Sequence, residues 1–145
     1  MSWIRIWVHL VFSTKDGFPF LNTLELREKA FKHIKQNAET KDIWLDNIGG
    51  YKNHVHCLAS LGSEQSISKI AQLIKGESSF WINKNNLTKS KFIWQDDYWA
   101  VSVSESHINS IRKYIQLQEE HHKLKSFSEE IDEFMKKYGW KLIKV

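Results

Sequence analysis

The chain has 145 residues, of which 41% are hydrophobic and 26% are charged, with a formal net charge of +4 and a pI near 9.1. This composition is typical of a globular domain and permits a nucleic-acid partner without requiring one. No apolar run reaches the roughly 18 residues that a membrane-spanning helix needs, the first residues lack a signal-peptide pattern, and the single cysteine, Cys57, excludes an internal disulfide. We therefore expect one cytoplasmic domain over residues 1–145.

The first predicted elements are a strand and a helix. Alternation of side chains predicts a strand over residues 4–12, which a turn at residues 15–17 ends. Asn22 and Glu25 have the spacing of a capping box. Apolar residues then recur at helical intervals over residues 24–38, which predicts the first helix.

The middle of the chain predicts three strands around a second helix. Residues 43–51 and 54–61 have strand character and are separated by a short turn. An amphipathic helix is predicted over residues 67–81, and an aromatic and β-branched stretch predicts a fourth strand over residues 92–104. The resulting order, β-α-β-β-α-β, is that of the ferredoxin-like or split βαβ fold.

Two further helices are predicted at the end of the chain. The third spans residues 107–123, and the fourth is capped by Ser126 or Ser128 and ended by Gly139. Its acidic residues come early and its lysines late, which suits the helix dipole. We therefore expect an α+β fold with a four-stranded antiparallel sheet. Helices cover one face, the other face is open, and the C-terminal helices are additional.

The stretch HVH in the third strand places two histidines one residue apart. Because alternate residues on a strand point the same way, His54 and His56 share one face, which we expect to be the open one. Their Cα atoms lie roughly 7 Å apart on a strand, so both rings can turn toward one cation. Two ligands are too few for a structural zinc site but suit a catalytic metal. Alone, the pair is more typical of one or two structural histidines that lie half-buried in a sheet.

The third predicted helix carries a second group of chemically active side chains. Tyr114 and Gln118 lie one turn apart beside an apolar stripe, and Arg112 and Lys113 next to the tyrosine would attract a phosphate. A tyrosine that borders an apolar face is usually a packing residue. The helix by itself therefore does not assign a function.

Together these motifs resemble a known family. HVH is similar to the His-hydrophobic-His signature of the HUH nucleases. Tyr114, followed by Gln118 and EEHHK, resembles the catalytic helix of the single-tyrosine transposases of the insertion-sequence 200/605 type. Further similar segments are HLVFSTK, ISKIAQLIKGESSFWIN, FIWQDDYWAVSVSES and SFSEEIDEFMKKYG. The chain departs from the family pattern at Asp97, often glycine, and at residues 52–53, often Pro-Asp.

The resemblance implies a metal-dependent homodimer that cleaves and rejoins single-stranded DNA at hairpin-bearing transposon ends through a 5′-phosphotyrosine intermediate. It implies that Tyr114 is the nucleophile and that His54, His56 and Gln118 hold Mg²⁺ or Mn²⁺, with no small-molecule cofactor. It further implies that the tyrosine of one subunit completes the metal site of the other. The C-terminal helices would carry the catalytic tyrosine.

Basic and aromatic residues supply candidate DNA contacts. The phosphate-binding candidates are Lys15, Lys75, Arg112 and Lys113, with Lys89 and Lys91 as weaker ones. The tryptophans that could stack on bases, although core packing is expected for most, are Trp7, Trp81, Trp94 and Trp99. His121 and His122 are expected on the helix surface, with His121 nearer to the tyrosine.

Three alternatives to the transposase remain open at this point. A domesticated relative would use the same chemistry on repeated chromosomal palindromes. A nucleic-acid-binding module on the same sheet would need no chemistry, but it leaves the histidine pair without a role. An unrelated metallohydrolase would use the metal without Tyr114.

Overall fold

The computed structural model describes residues 2–138. Its strands are β1 (Ile6–Ser13), β2 (Trp44–Tyr51), β3 (His54–Leu61) and β4 (Trp99–Val103). Its helices are α1 (Leu24–Thr40), α2 (Ile67–Lys84), α3 (Ile108–Gln116), α4 (Gln118–His121) and α5 (Phe127–Tyr138). Short 3₁₀ turns occupy Lys15–Gly17 and Glu105–His107. None of the helices in this part of the chain is long and apolar enough to cross a membrane. The predicted stop at Gly139 lies outside the described residues.

The four strands form one antiparallel sheet in the order β2-β3-β1-β4. This is the ferredoxin-like order that the element pattern predicts, so the predicted fold class is confirmed. The two central strands pair along their whole length, with Val11 opposite His56 and Ser13 opposite His54. The histidine pair is therefore on a central strand, where the backbone is held on both sides.

One face of the sheet packs against α1 and α2 and forms the main core. It contains Leu10 and Phe12 of β1 with Val55, Cys57 and Ala59 of β3, all less than 1% exposed. Side-chain caps fix the starts of both helices. The Thr23 hydroxyl accepts from the Leu26 amide, one residue later than the predicted cap at Asn22, and the Ser66 hydroxyl accepts from the Lys69 amide.

The second face of the sheet is covered, which corrects the prediction of an open face. Trp7 and Leu58 pack against Ile108 and Ile115 of α3. The stripe of α3 is strongly apolar and would otherwise lie in water, so the hydrophobic effect holds it against the sheet. As a result His54 and His56, on the same face, are completely buried.

The predicted fourth strand is shorter than expected. Residues 92–98 pair with the sheet only at a single bridge between Thr14 and Trp94, and regular pairing begins at Trp99. The ammonium of Lys75 donates to the carbonyls of residues 95–97, at 2.5, 2.9 and 3.4 Å. These three carbonyls therefore accept from the ammonium of Lys75.

The predicted third helix is divided into α3 and α4. Leu117 departs from helical geometry at φ −97° and ψ 17°, and its N–H donates to the carbonyl of Lys113. The helix then restarts at Gln118. Beyond α4, the Ser126 hydroxyl accepts from the Glu129 amide and caps α5, so Ser126 rather than Ser128 is the cap.

Candidate metal site and nucleophile

His54 presents one unprotonated ring nitrogen to the interior. Its Nδ1 donates to Asn53 Oδ1 at 2.9 Å, and the Asn53 amide is oriented by a donated bond from Nδ2 to the Gly17 carbonyl at 3.3 Å. Burial, and then the charge of His56, lower the pKa of His54 well below its usual value. The ring is therefore neutral, and the lone pair of Nε2 points away from Asn53.

Gln118 meets that lone pair with its carbonyl oxygen. Its Oε1 lies 3.0 Å from His54 Nε2 and 3.0 Å from His122 Nε2, while its Nε2 donates to Glu130 Oε2 at 3.2 Å. The donated bond fixes which end of the amide faces the histidines. The structure thus brings together His54 and Gln118, which are 64 residues apart in the sequence.

The carboxylate of Glu130, on α5, lies at the centre of the cluster. Its Oε1 is 3.0 Å from His56 Nε2, 3.4 Å from His122 Nε2 and 3.5 Å from His54 Nε2. Burial alone would raise its pKa, but hydrogen bonds from His122 and His56 outweigh burial and hold the pKa below its ordinary value. The side chain is 2% exposed and ionised.

Sequence reasoning assigned Glu130 to the group of early acidic residues that suit the helix dipole. A signal was nevertheless present, because Phe127, Glu130 and Phe134 follow one another at helical spacing on the face that α5 buries. Phe127 stacks on His54, with ring centroids 4.3 Å apart. The ring of Phe134 meets that of His56 edge-on, with centroids 6.2 Å apart. An acidic residue between two aromatic residues of an inward stripe indicates a buried partner.

His122 also belongs to the cluster, which corrects its predicted place on the helix surface. Its side chain is 3% exposed, and its ring stacks on Tyr51 with centroids 5.4 Å apart. It directly follows α4, and its backbone N–H donates to the carbonyl of Gln118, which places the two side chains side by side. His121 lies nearer to Tyr114, as expected, with ring centroids 4.7 Å apart.

His9, on β1, fixes the orientation of the second histidine of the pair. Its Nε2 is 2.8 Å from His56 Nδ1. Burial, and then the charge of His56, lower the pKa of His9 to about 3, so this ring is neutral. This contact fixes the His56 ring so that its Nε2 faces Glu130 Oε1 at 3.0 Å. Sequence reasoning missed His9, which stands in the family-like segment HLVFSTK.

Tyr114 lies beside the histidine pair of its own chain. Its hydroxyl donates to Glu130 Oε2, and its ring centroid is 5.6 Å from that of His56. Burial, and then the charge of Glu130 and the bond to it, raise the pKa of Tyr114 above its usual value. The side chain is therefore a neutral phenol in this arrangement. Completion of one subunit's site by the other subunit's tyrosine stays a prediction.

The donor atoms of the cluster fit a divalent cation. Metal–ligand bonds of about 2.1 Å place neighbouring donor atoms about 3.0 Å apart in an octahedron and about 3.4 Å apart in a tetrahedron. The contacts of Gln118 and Glu130 with the histidines fall at 3.0 to 3.5 Å. The donor atoms of His54, His122 and Glu130 all lie within 4.8 Å of one another. Mixed imidazole and oxygen donors suit Mn²⁺, and the oxygens suit Mg²⁺.

The sequence profile of the family described as "transposase IS200 like" matches residues 2–118. The chain belongs to the IS200-like transposase family. This confirms the family that the HVH motif and the tyrosine helix suggest, and membership supports a transposase function with DNA as partner. No protein among those with curated functions matches the chain.

Two solved structures share the fold of this family member. One is a protein of Deinococcus radiodurans R1 assigned as a transposase, with 20% identity, a TM-score of 0.65, and coverage of 81% of this chain and 93% of that one. The other is a REP-associated tyrosine transposase bound to a REP hairpin. It has 16% identity, a TM-score of 0.59, and coverage of 84% of this chain and 72% of that one. At these identities the likeness establishes the fold alone.

The predicted DNA-contact residues of this transposase-family chain fall into two groups. Lys15 and Lys113 are exposed, as are the weaker candidates Lys89 and Lys91. Lys75 and Arg112 have protein partners. The Lys75 ammonium holds the carbonyls before β4, and Arg112 makes two bonds of 2.8 Å to the carboxylate of Asp46. Of the four main candidates, Lys15 and Lys113 are the better placed for phosphate.

The four tryptophans considered for base stacking mostly pack inside the protein. Trp7 and Trp94 are 4% and 6% exposed, and Trp81 packs against the main core. Trp99 is partly buried and meets Phe127 edge-on, with centroids 5.7 Å apart. Core packing is therefore their main role in the described chain.

Proposed function

We propose that this family member is a metal-dependent DNA transposase that cleaves and rejoins single-stranded DNA, with Tyr114 as the nucleophile. The observation that carries the proposal is the convergence of three separate segments on one buried cluster. The histidine pair comes from β3, Gln118 from α4 and the tyrosine from α3, and the tyrosine hydroxyl shares the carboxylate that contacts both histidines.

The proposed metal is Mg²⁺ or Mn²⁺, held by His54, His56 and Gln118. When bound, the ion would offset the charge of a non-bridging phosphate oxygen and make the phosphorus easier to attack. Imidazole and amide ligands are neutral, so these three residues leave the charge of the ion available to the phosphate. His9 and Asn53 orient the two imidazoles through their other ring nitrogens.

In the proposed reaction the Tyr114 oxygen forms a bond to phosphorus, and the bond from phosphorus to the 3′-oxygen breaks. The phenol loses a proton, the departing 3′-oxygen gains one, and the products are a 5′-phosphotyrosine and a free 3′-hydroxyl. A second 3′-hydroxyl can reverse these bond changes and rejoin strands without an external energy source, because the phosphodiester energy is kept. The raised pKa of Tyr114 means that attack requires a change in its contact with Glu130.

The proposed substrate is single-stranded DNA with hairpins at transposon ends, and the proposed assembly is a homodimer. Both follow from the family resemblance. The REP hairpin bound by the structurally similar REP-associated transposase makes a hairpin oligonucleotide a reasonable first probe. The net charge of +4 favours binding to a polyanion.

A covalent-adduct assay tests this proposal. A single-stranded hairpin oligonucleotide from the chain's own locus is incubated with the protein and Mn²⁺ or Mg²⁺ and run on a denaturing gel. We expect an adduct that EDTA prevents and that Tyr114→Phe abolishes, while the control Tyr98→Phe keeps it. Cleavage that persists in Tyr114→Phe would favour a metallohydrolase, and hairpin binding without cleavage in the wild type would favour a non-catalytic module.

A further inference from the structure

Two oxygen acceptors face the interior ring nitrogen of His54. Its Nδ1 donates to Asn53 Oδ1 at 2.9 Å, so Nε2 is the ring nitrogen that faces the interior. This Nε2 faces Gln118 Oε1 at 3.0 Å and Glu130 Oε1 at 3.5 Å, and neither oxygen has a proton to give. Buried oxygen acceptors this close to ring nitrogens need shared protons or a cation between them, and the donor atoms of His54, His122 and Glu130 converge within 4.8 Å of one another, as metal ligands do.

Two residues outside the expected ligand set, His122 and Glu130, also face the space beside His54 Nε2 and Gln118 Oε1. His122 Nε2 lies 3.0 Å from Gln118 Oε1 and 3.4 Å from Glu130 Oε1, and the carboxylate also reaches His56 Nε2 at 3.0 Å. Both His122 and Glu130 follow residue 118, where the match to the family profile ends. They stand in EEHHK and SFSEEIDEFMKKYG, two of the segments that resemble the family.

α5 closes the site. The side chains of His54, His56 and Gln118 are at most 1% exposed, so no phosphate can reach them in this arrangement. The cover consists of Glu130 with Phe127, which stacks on His54, and Phe134, whose ring lies 5.6 Å from that of Tyr114. A substrate phosphate therefore needs Glu130 to move away.

We propose that His122 and Glu130 bind the same metal as His54 and Gln118, and that the metal thereby fastens α5 over the nucleophile. With a metal held there, a DNA phosphate would have to displace the carboxylate of Glu130 before it could reach the ion. In the absence of DNA, the bound metal would thus keep α5 over the site, and binding of a DNA strand would open it. This inference rests on the proposed metal dependence.

Titration calorimetry with Mn²⁺ tests the ligand assignment without DNA. Glu130→Gln keeps the volume and an acceptor oxygen but removes the charge, and Glu129→Gln is the matched control, since Glu129 is exposed on the same turn. We expect Glu130→Gln to weaken Mn²⁺ binding at least about tenfold, because loss of even an outer-shell partner costs about 10- to 100-fold. Glu129→Gln should match the wild type. His122→Asn, with His121→Asn as its control, repeats the test if Glu130→Gln does not fold.

Hydrogen exchange of residues 127–138 tests the fastening of α5. Mn²⁺ should slow exchange there in the wild type and in Glu129→Gln, but not in Glu130→Gln. The inference would be overturned if Glu130→Gln and His122→Asn bound Mn²⁺ within twofold of the wild-type affinity. It would also be overturned if hydrogen exchange in α5 of the wild type did not change when Mn²⁺ is added.

These outcomes separate the inference from the proposed function. A wild-type adduct on Tyr114 together with unchanged Mn²⁺ binding in Glu130→Gln overturns the inference alone. Glu130-dependent Mn²⁺ binding with no adduct supports the inference and overturns the proposed strand cleavage. A wild-type chain that binds no Mn²⁺ overturns the inference and the metal dependence together.

Discussion

Gly49, on β2, lies directly beneath α3, and a methyl group at this position should displace the helix. A Cβ at Gly49 would lie 2.4 Å from the carbonyl oxygen of Ile115 and 3.0 Å from its Cγ2. The oxygen belongs to the backbone and cannot rotate away. To lengthen that contact from 2.4 Å to the 3.4 Å at which ordinary contacts begin, α3 must move by about 1 Å.

The displacement has a cost in stability and in chemistry. Overpacking of this kind costs about 1–3 kcal/mol, which lowers Tm by roughly 4–12 °C at about 4 °C per kcal/mol for a chain of this size. Tyr114 is the neighbour of Ile115 and moves with the helix. A misplacement of about 1 Å can cost roughly 100-fold in rate, so we expect slower adduct formation than in the wild type by up to about that factor.

Thermal melting and the adduct assay check Gly49→Ala against Gly76→Ala. Gly76 lies inside α2, where an added Cβ meets nothing within 4 Å, so alanine should stabilise the helix by about 0.5–1 kcal/mol. The control should melt at or above the wild-type Tm and form the adduct at the wild-type rate. A Gly49→Ala chain that melts like the wild type and reacts at its rate would refute the described packing of α3 on β2.

Three further perturbations have defined outcomes. Arg27→Met should lower the free energy of unfolding by about 2–4 kcal/mol in urea titrations, because buried Arg27 makes two bonds of 2.7 and 3.0 Å to Glu119; an unchanged value would contradict that pairing. His9→Phe should weaken Mn²⁺ binding about 10- to 100-fold in calorimetry through loss of the bond that orients His56, and unaltered affinity would show that the ring needs no such support. Cys57 is buried and burial raises its pKa, so a thiol reagent should label it only after unfolding; rapid labelling of the native chain would contradict its place in the core.

Local patterns predict the sheet and its faces well. Strand β3 has the predicted bounds, and Val55, Cys57 and Ala59 pack in the core as alternation requires. Alternation says which residues share a face, but it does not say what covers the face. The cover over His54 comes from helices more than 50 residues later, so local reasoning left that face open.

The incomplete prediction of the cluster has a similar physical origin. Glu130 satisfies the local rule for acidic residues near a helix start, and its buried role depends on tertiary contacts with His56 and Tyr114. Likewise, no glycine or proline near Leu117 predicts the division of the third helix there. Residues whose role rests on a long-range partner are those that a single sequence assigns least well.

Peptide mapping of the DNA complex by mass spectrometry tests the central proposal most directly. After reaction with the hairpin oligonucleotide and Mn²⁺, nuclease and protease digestion should leave a nucleotide mass on the peptide that contains Tyr114, and the released strand should end in a free 3′-hydroxyl. An adduct on another residue, or cleaved DNA with no adduct on the protein, would contradict the assignment of Tyr114 as the nucleophile.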